Sequence, residues 1–290
     1  MQHRSFSPSR VAALAGNTFT GLVRLRAFYF LLPFALILIG SSLFFARLSF
    51  QAEFQILKDV SLGAMSIFSS LLAIVATAQL IPRDLEERTI YTILAKPVLR
   101  SEYLVGKMLG VLLLLALGIL VMSALFLGLL FFREQILLGE TTRSGLPPAQ
   151  IAAAIASLKA SAFNLNLLPG ILLIYLRAAL LASLTLFVST FASSNIFTTV
   201  VMVFVYLIGH LQGTARTYWL QEHSSGWLAH TFLGLVALVF PDLQPFNLID
   251  DVVAGTAIPL ALFARTALLG CVYTTVYLFF AWAAFHEREL

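Results

Sequence analysis

The sequence predicts an all-α membrane protein with six transmembrane helices. An N-terminal interfacial helix precedes them, a polar helix joins spans two and three, and a re-entrant element precedes span six. Three observations predict this. Hydrophobic residues make up 60% of the 290, and charged residues only 11%; a soluble domain carries about 25% charged residues. Mean hydropathy is +0.93. Six apolar runs approach or exceed the length of about 20 residues that a hydrocarbon crossing needs. The 25 Phe and eight Tyr suit lipid-facing and interfacial surface.

Residues 1–27 carry Arg4, Arg10, Arg24 and Arg26, with Val11, Leu14, Leu22 and Leu25 at roughly helical spacing. That pattern predicts a helix lying in the headgroup region, against the alternative of a disordered tail. The spans follow at Phe28–Ala46, Val60–Ile81, Glu102–Phe132, Pro169–Ala192, Asn195–His210 and Leu260–Phe285. The first begins about 27 residues in and no small-residue cleavage site follows it, so it reads as a retained span. The third is longer than the hydrocarbon requires and should tilt or project into the cytoplasm, with Ser101 as its N-cap and Glu102 in its first turn. Between spans three and four, "GETTRSGLPP" is turn-rich, and the Ala-rich stretch after it predicts a small helix in the segment 133–168. Trp227–Phe240 is an apolar run too short for a comfortable crossing and is closed by Pro241 and Pro245. It reads as re-entrant; a crossing there would move the C-terminus to the other side. The whole chain reads as one transmembrane domain.

Cations set the orientation. With the N-terminus inside, the inner segments hold Arg4, Arg10, Arg24, Arg26, Arg83, Arg88, Lys96, Arg100, Lys107 and Arg288. The outer ones hold Arg47, Lys58, Arg133, Arg143, Lys159 and Arg216 over more residues. The bias predicts that both termini are cytoplasmic in a multi-pass protein of the cell (inner) membrane. The small net charge of +4 reflects this orientation, and no nucleic-acid partner is expected. The single Cys271 excludes an intrachain disulfide.

The segment Pro82–Lys107 is densely and mixedly charged, between two of the most apolar runs. Pro82 suits the first position of a helix. Asp84, Glu86 and Glu87 suit its positive first turn, and Pro97 disfavours helix at Lys96. A helix over 82–95 would be about 20 Å long, too short and too polar to span. Ile90, Ile93 and Leu94 share one side; Arg88, Thr92 and Lys96 share the other. Glu86, four residues before Ile90, interrupts the apolar stripe, which suits a helix docked on a partner better than a surface helix. A solvated loop whose charges only enforce topology is the alternative.

These residues resemble a family. "LEERTIYTILAKPVLRSEYLVGKMLG" looks like the signature of the membrane subunits of type-2 ABC transporters. The matching features are the acidic pair Glu86–Glu87, Thr89, the apolar run Ile90–Leu94, Lys96–Pro97, Val98–Arg100, Tyr103 and Gly106–Lys107. Many members have Gly before the Thr, where this chain has Arg88. The "RTI" version is similar to the subgroup related to the permease of the copper-site maturation system of nitrous oxide reductase. The resemblance implies that 82–95 is a cytoplasmic coupling helix, with Glu86, Glu87, Arg88 and Tyr91 against a separate ATPase subunit. Arg100 and Lys107 would hold its connection to span three near the headgroups. It also implies an ATP-driven export permease, paired with a second copy or a related permease and with two ATPase subunits that carry the ATP and magnesium.

No G-x-x-x-x-G-K-[ST] occurs: Gly106-Lys107 is followed by Met108, and Ser101 stands where the first Gly would be. ATP hydrolysis is therefore expected in another polypeptide. H-E-x-x-H and G-x-S-x-G are also missing, so the chain is expected to be non-catalytic and to hold no cofactor or metal of its own. His223 and His230, and the pair Asp250–Asp251, read as interfacial groups before metal ligands. Two other function classes stay open: an ion-coupled secondary transporter, disfavoured because no carboxylate lies mid-span, and an intramembrane enzyme. Arg177 in span four sits eight residues, by helix rise about 12 Å, from the outer end and is expected to snorkel outward. Its alternative is a cavity for an anionic group, with Thr77, Gln79 and Tyr206 as further candidate lining. Ser66, Ser69, Ser70, Asn195 and Thr198 are polar in the same two spans, and Gly106-x-x-x-Gly110 permits close helix packing.

Overall fold

In the computed structural model the described residues are 6–48, 53–87, 98–143, 147–164, 166–192, 194–221, 241–247, 249–255 and 258–287. Among them there are helices and connections but no strand. The order is α1 (Pro8–Val23), α2 (Arg26–Leu48), α3 (Glu53–Ala78), α4 (Leu80–Glu86), α5 (Arg100–Thr142), α6 (Pro148–Ala162), α7 (Leu167–Phe191), α8 (Asn195–Gln221), a 3₁₀ turn (Gln244–Phe246), α9 (Ile249–Ala254) and α10 (Leu260–Glu287). Prolines at the first turn start α1 and α6, where a missing N–H costs no bond.

Among the described residues six stretches are long and apolar enough to cross a membrane. Burial divides them. The most apolar windows of the second and fourth are 67% and 72% buried; those of the first, fifth and sixth are 22%. So α3 and α7 form the centre of the bundle, and α2, α8 and α10 lie around it. The core falls into two clusters, one on each half of the bundle. On α3 the break lies between Phe68 and Leu72, and on α7 the two clusters meet at Leu173 and Ile174, just before Ala178. Ser69, Ser70 and Arg177 stand at that break.

Several boundaries differ from expectation. α5 runs to Thr142, ten residues past Phe132. At 43 residues it is about 65 Å long, and its extension lies at the end away from α1. There Arg133 donates to Glu53 Oε2 at 2.8 and 2.6 Å, which ties the extension to the start of α3. The start of α5 is not capped by Ser101. The helix begins at Arg100, and Glu102 Oε2 accepts the Leu99 N–H at 3.0 Å instead. A carboxylate one turn in reaches back to an N–H that a hydroxyl at 101, already inside the helix, does not.

The helix expected at Pro82 begins at Leu80. Pro82 is its third residue, still among the first-turn positions whose N–H groups have no partner within the helix. The remainder of the expected 82–95 helix, with Arg88 and Tyr91, lies outside the described residues, as do the 227–240 element and His223 and His230. The α6 helix is the small helix expected in the segment 133–168.

After 240, Leu243, Phe246 and Val252 are buried. The Pro241 carbonyl approaches to 2.9 Å of where a side chain on Gly209 of α8 would begin, Phe246 does the same at Gly270 of α10, and Val252 at Gly170 of α7. Glycine on three spans is what admits the 3₁₀ turn and α9 between them.

Candidate functional site

The polar residues flanking α4 form a connected group at the end of the bundle where α1 starts and α10 finishes. Glu102 is fully buried. Its Oε1 accepts the Ser7 N–H at 2.6 Å and an Arg10 guanidinium N–H at 2.9 Å, while Oε2 holds Leu99. One carboxylate thus joins the entry of α1 to the entry of α5. α1 then crosses α5 at Gly106 and Gly110. A side-chain carbon on Gly106 would stand 2.6 Å from Leu14 Cβ, and one on Gly110 2.6 Å from Thr18 Cβ. The face Val11, Ala15, Thr18 and Leu22 is buried there, so the apolar stripe of α1 is covered by protein.

Asp84 of α4 accepts from Tyr103 Oη at 2.6 Å and from Lys107 Nζ at 2.6 Å. Lys107 also lies over the Tyr103 ring, 5.5 Å from its centroid. Tyr103 stacks on Phe285 at 5.7 Å. Arg100 donates to the carbonyls of Phe285 and His286 at 3.1 and 2.6 Å, closing the last turn of α10. Lys107 is therefore buried inside this group, and Arg100 is turned onto α10. Beyond Asp84 the helix opens to solvent: Arg83, Glu86 and Glu87 are exposed, with Arg83 Nε bonded to Glu87 Oε1 at 2.8 Å. Leu80, Ile81 and Pro82 are buried. A recess of about 160 Å³ beside it is lined by Gln79, Arg83, Asp84, Glu87, Lys107 and residues of α1.

The second candidate is Arg177. It does not snorkel: it is 2% exposed and sits about 15 Å along α7, at the break between the two core halves. Its Nη1 donates to Ser66 Oγ of α3 at 3.0 Å and its Nη2 to Tyr206 Oη of α8 at 3.2 Å. The Tyr206 ring lies 5.3 Å from the guanidinium carbon. His210 Nδ1 is at 3.5 Å from Nη2 and its ring stacks on Tyr206. Among the described residues the buried Arg177 Nε has no partner. Among the described residues no carboxylate lies within salt-bridge reach of Arg177. Outward snorkelling fails because α3 and α8 offer two hydroxyls and an aromatic face at its own depth.

Tyr206 is thus brought to Arg177, and Thr77 and Gln79 are not. Thr77 lies eleven residues from Ser66 on α3, about 16 Å along the helix, and its buried hydroxyl has no partner among the described residues. Gln79 donates to the Val75 carbonyl and borders the recess beside α4.

A family model described as "ABC-2 family transporter protein" matches residues 38–290. The chain belongs to that family. No curated protein matches it. Membership makes the chain a membrane-transport component, a permease of an ABC transporter. Such a component is not itself catalytic, and among the described residues no group of three or more His, Cys, Asp or Glu could hold a metal ion. The likeness to the nitrous oxide reductase subgroup rests on Arg88-Thr89-Ile90, outside the described residues.

Sequence reasoning placed Asp84 only in a helix first turn and Glu102 only beside a cap. Both are hubs. Glu102 had a readable signal, since a Glu at the third helical position is where a carboxylate reaches back to the chain before the helix. Asp84 had none, because Tyr103 and Lys107 meet it across a connection that the local pattern does not fold. Ser66 was one hydroxyl among several, and His210 was not singled out.

Proposed function

We propose that the chain is the membrane-spanning subunit of an ATP-driven exporter, and that the Arg83–Glu87 end of α4 docks a separate cytoplasmic ATPase. The observation that carries this reading is the two-faced character of α4. Its base is buried and its middle is wired through Asp84 to α5. Its tip offers Glu86, Glu87 and Arg83 to whatever lies outside the bundle. Exposed charges on a rigidly mounted helix suit a complementary surface, and any load there is handed to Tyr103 and Lys107. From α5 it reaches α10 through Arg100 and α1 through Glu102. The family resemblance assigns Arg88 and Tyr91 to docking as well.

Both termini and α4 lie on the cytoplasmic side in this reading, in agreement with the cation bias, and the membrane is the cell (inner) membrane. Two permeases, alike or related, pair with two ATPase subunits that bind the ATP and magnesium. Nucleotide acts by favouring one arrangement of the pair over another. The permease contributes a pathway, and the Arg177 layer with Ser66 and Tyr206 is its polar centre.

The test is co-purification. Glu86→Lys with Glu87→Lys should insert and fold but lose the ATPase subunit. Full recovery of the ATPase, with normal transport, would rule out docking at this helix.

A further inference from the structure

The end of the bundle opposite α4 holds a cavity of about 460 Å³ between α3, α5, α6 and the end of α9 with Gly255. Small-molecule sites occupy this range of volume. Two groups on its wall have hydrogen-bonding capacity to spare. Lys58 is 2% exposed, and its Nζ donates to the Ser161 carbonyl at 2.7 Å. An ammonium has three N–H donors, and this is the bond it makes among the described residues. No carboxylate neutralises it there: Glu53, the acid on the same wall, is held by both bonds from Arg133. Asn164 donates its amide N–H to the Val252 carbonyl at 2.8 Å. Its side-chain oxygen is buried without a donor among the described residues.

A buried cation with one of its three donors engaged and a buried acceptor without a donor among the described residues are costly unless something fills the space between them. The filler must carry an anionic oxygen for Lys58 and an N–H or O–H for Asn164. It must bear about one negative charge, since one cation is uncompensated. It meets the protein where span ends face headgroups.

We propose that this cavity binds a singly charged glycerophosphodiester bearing a free hydroxyl, with the phosphate on Lys58 and the hydroxyl on Asn164. Phe54, Leu137 and Leu158 supply the apolar wall. A glycerophospholipid headgroup and a free glycerophosphodiester share this chemistry. The site is remote from α4, so its fate is independent of the ATPase-docking reading.

Native mass spectrometry of the full chain in detergent tests it with three probes: phosphatidylglycerol, phosphatidylcholine and soluble glycerophosphoglycerol. Phosphatidylcholine keeps the phosphate but lacks the donor. Phosphatidylglycerol should bind about tenfold more tightly than phosphatidylcholine, the size of one charge-assisted or buried hydrogen bond. Lys58→Met should weaken it by at least about tenfold and Lys58→Arg should retain it. If Lys58→Met does not fold, Leu158→Trp, which fills the cavity from α6, should abolish binding. Comparable binding of glycerophosphoglycerol assigns the site to a soluble ester; binding of phosphatidylglycerol alone assigns it to a membrane lipid. Equal binding of the two lipids, or unchanged binding in Lys58→Met or Leu158→Trp, overturns the proposal.

Discussion

Lys107 Nζ and Asp84 Oδ2 stand 2.6 Å apart, with side chains only 9% and 13% exposed. They join α4 to the third span across a connection of more than a dozen residues. Breaking one member of a buried pair leaves a charge without its counter-charge, at a cost of about 3 kcal/mol or more. Asp84→Asn should lower the melting temperature markedly. Asp84→Asn combined with Lys107→Met should recover part of the loss, so a double-mutant cycle should show coupling. Additive losses would mean that the two side chains do not act as a pair.

The crossing of α1 over α5 rests on two glycines. A methyl on Gly110 would meet Thr18 Cβ at 2.6 Å and the Ala15 carbonyl at 2.9 Å, whereas nothing lies within 4 Å of one on Gly128. Gly110→Ala should destabilise by about 1–3 kcal/mol, the usual cost of overpacking. Gly128→Ala should leave stability unchanged or raise it slightly. Thermal melts of the two variants in one detergent check this; equal stabilities would argue against a tight α1–α5 contact.

The location of these features divides what was legible from what was not. Span number, the short helix in 133–168 and the polar break at 82–107 follow from apolar run length and proline positions, which are local signals. The direction of Arg177 was not legible. Span four is apolar all round, so nothing in its periodicity says which side faces the core. Its hydroxyl partners sit on helices 111 and 29 residues away. The hubs Asp84 and Glu102 were hidden for the same reason. Their charges were obvious, but Tyr103 and Lys107, and Ser7 and Arg10, become partners only after α4 and α1 fold back on α5.

Arg177 carries a further expectation. Arg177→Met removes a buried cation without leaving an opposite charge behind. It leaves the hydroxyls of Ser66 and Tyr206 with fewer partners, a cost of about 1–3 kcal/mol. Its melting temperature should fall less than that of Asp84→Asn. If the guanidinium is part of the pathway, transport-coupled ATP hydrolysis by the assembled complex should fall sharply. An unchanged coupled rate with a large thermal loss would make Arg177 a helix–helix tie and nothing more.

Arg100 bonds the last carbonyls of α10, an end that has no partners within the helix. Arg100→Met should raise hydrogen exchange in the last turn of α10 about fivefold, which corresponds to about 1 kcal/mol of lost local protection. Exchange elsewhere in α10 should not change. Unaltered exchange at Phe285 and His286 would mean the contact does not stabilise the turn.

The central claim is that the tip of α4 faces the cytoplasm and is covered there by an ATPase. Cys271 is a free, exposed thiol, so the measurement uses Cys271→Ser with Glu86→Cys. A membrane-impermeant maleimide is applied to sealed vesicles of each orientation, with and without the ATPase subunit. The account predicts labelling in inside-out vesicles alone, slowed when the ATPase is bound. Labelling from the opposite face, or a rate indifferent to the ATPase, would contradict it.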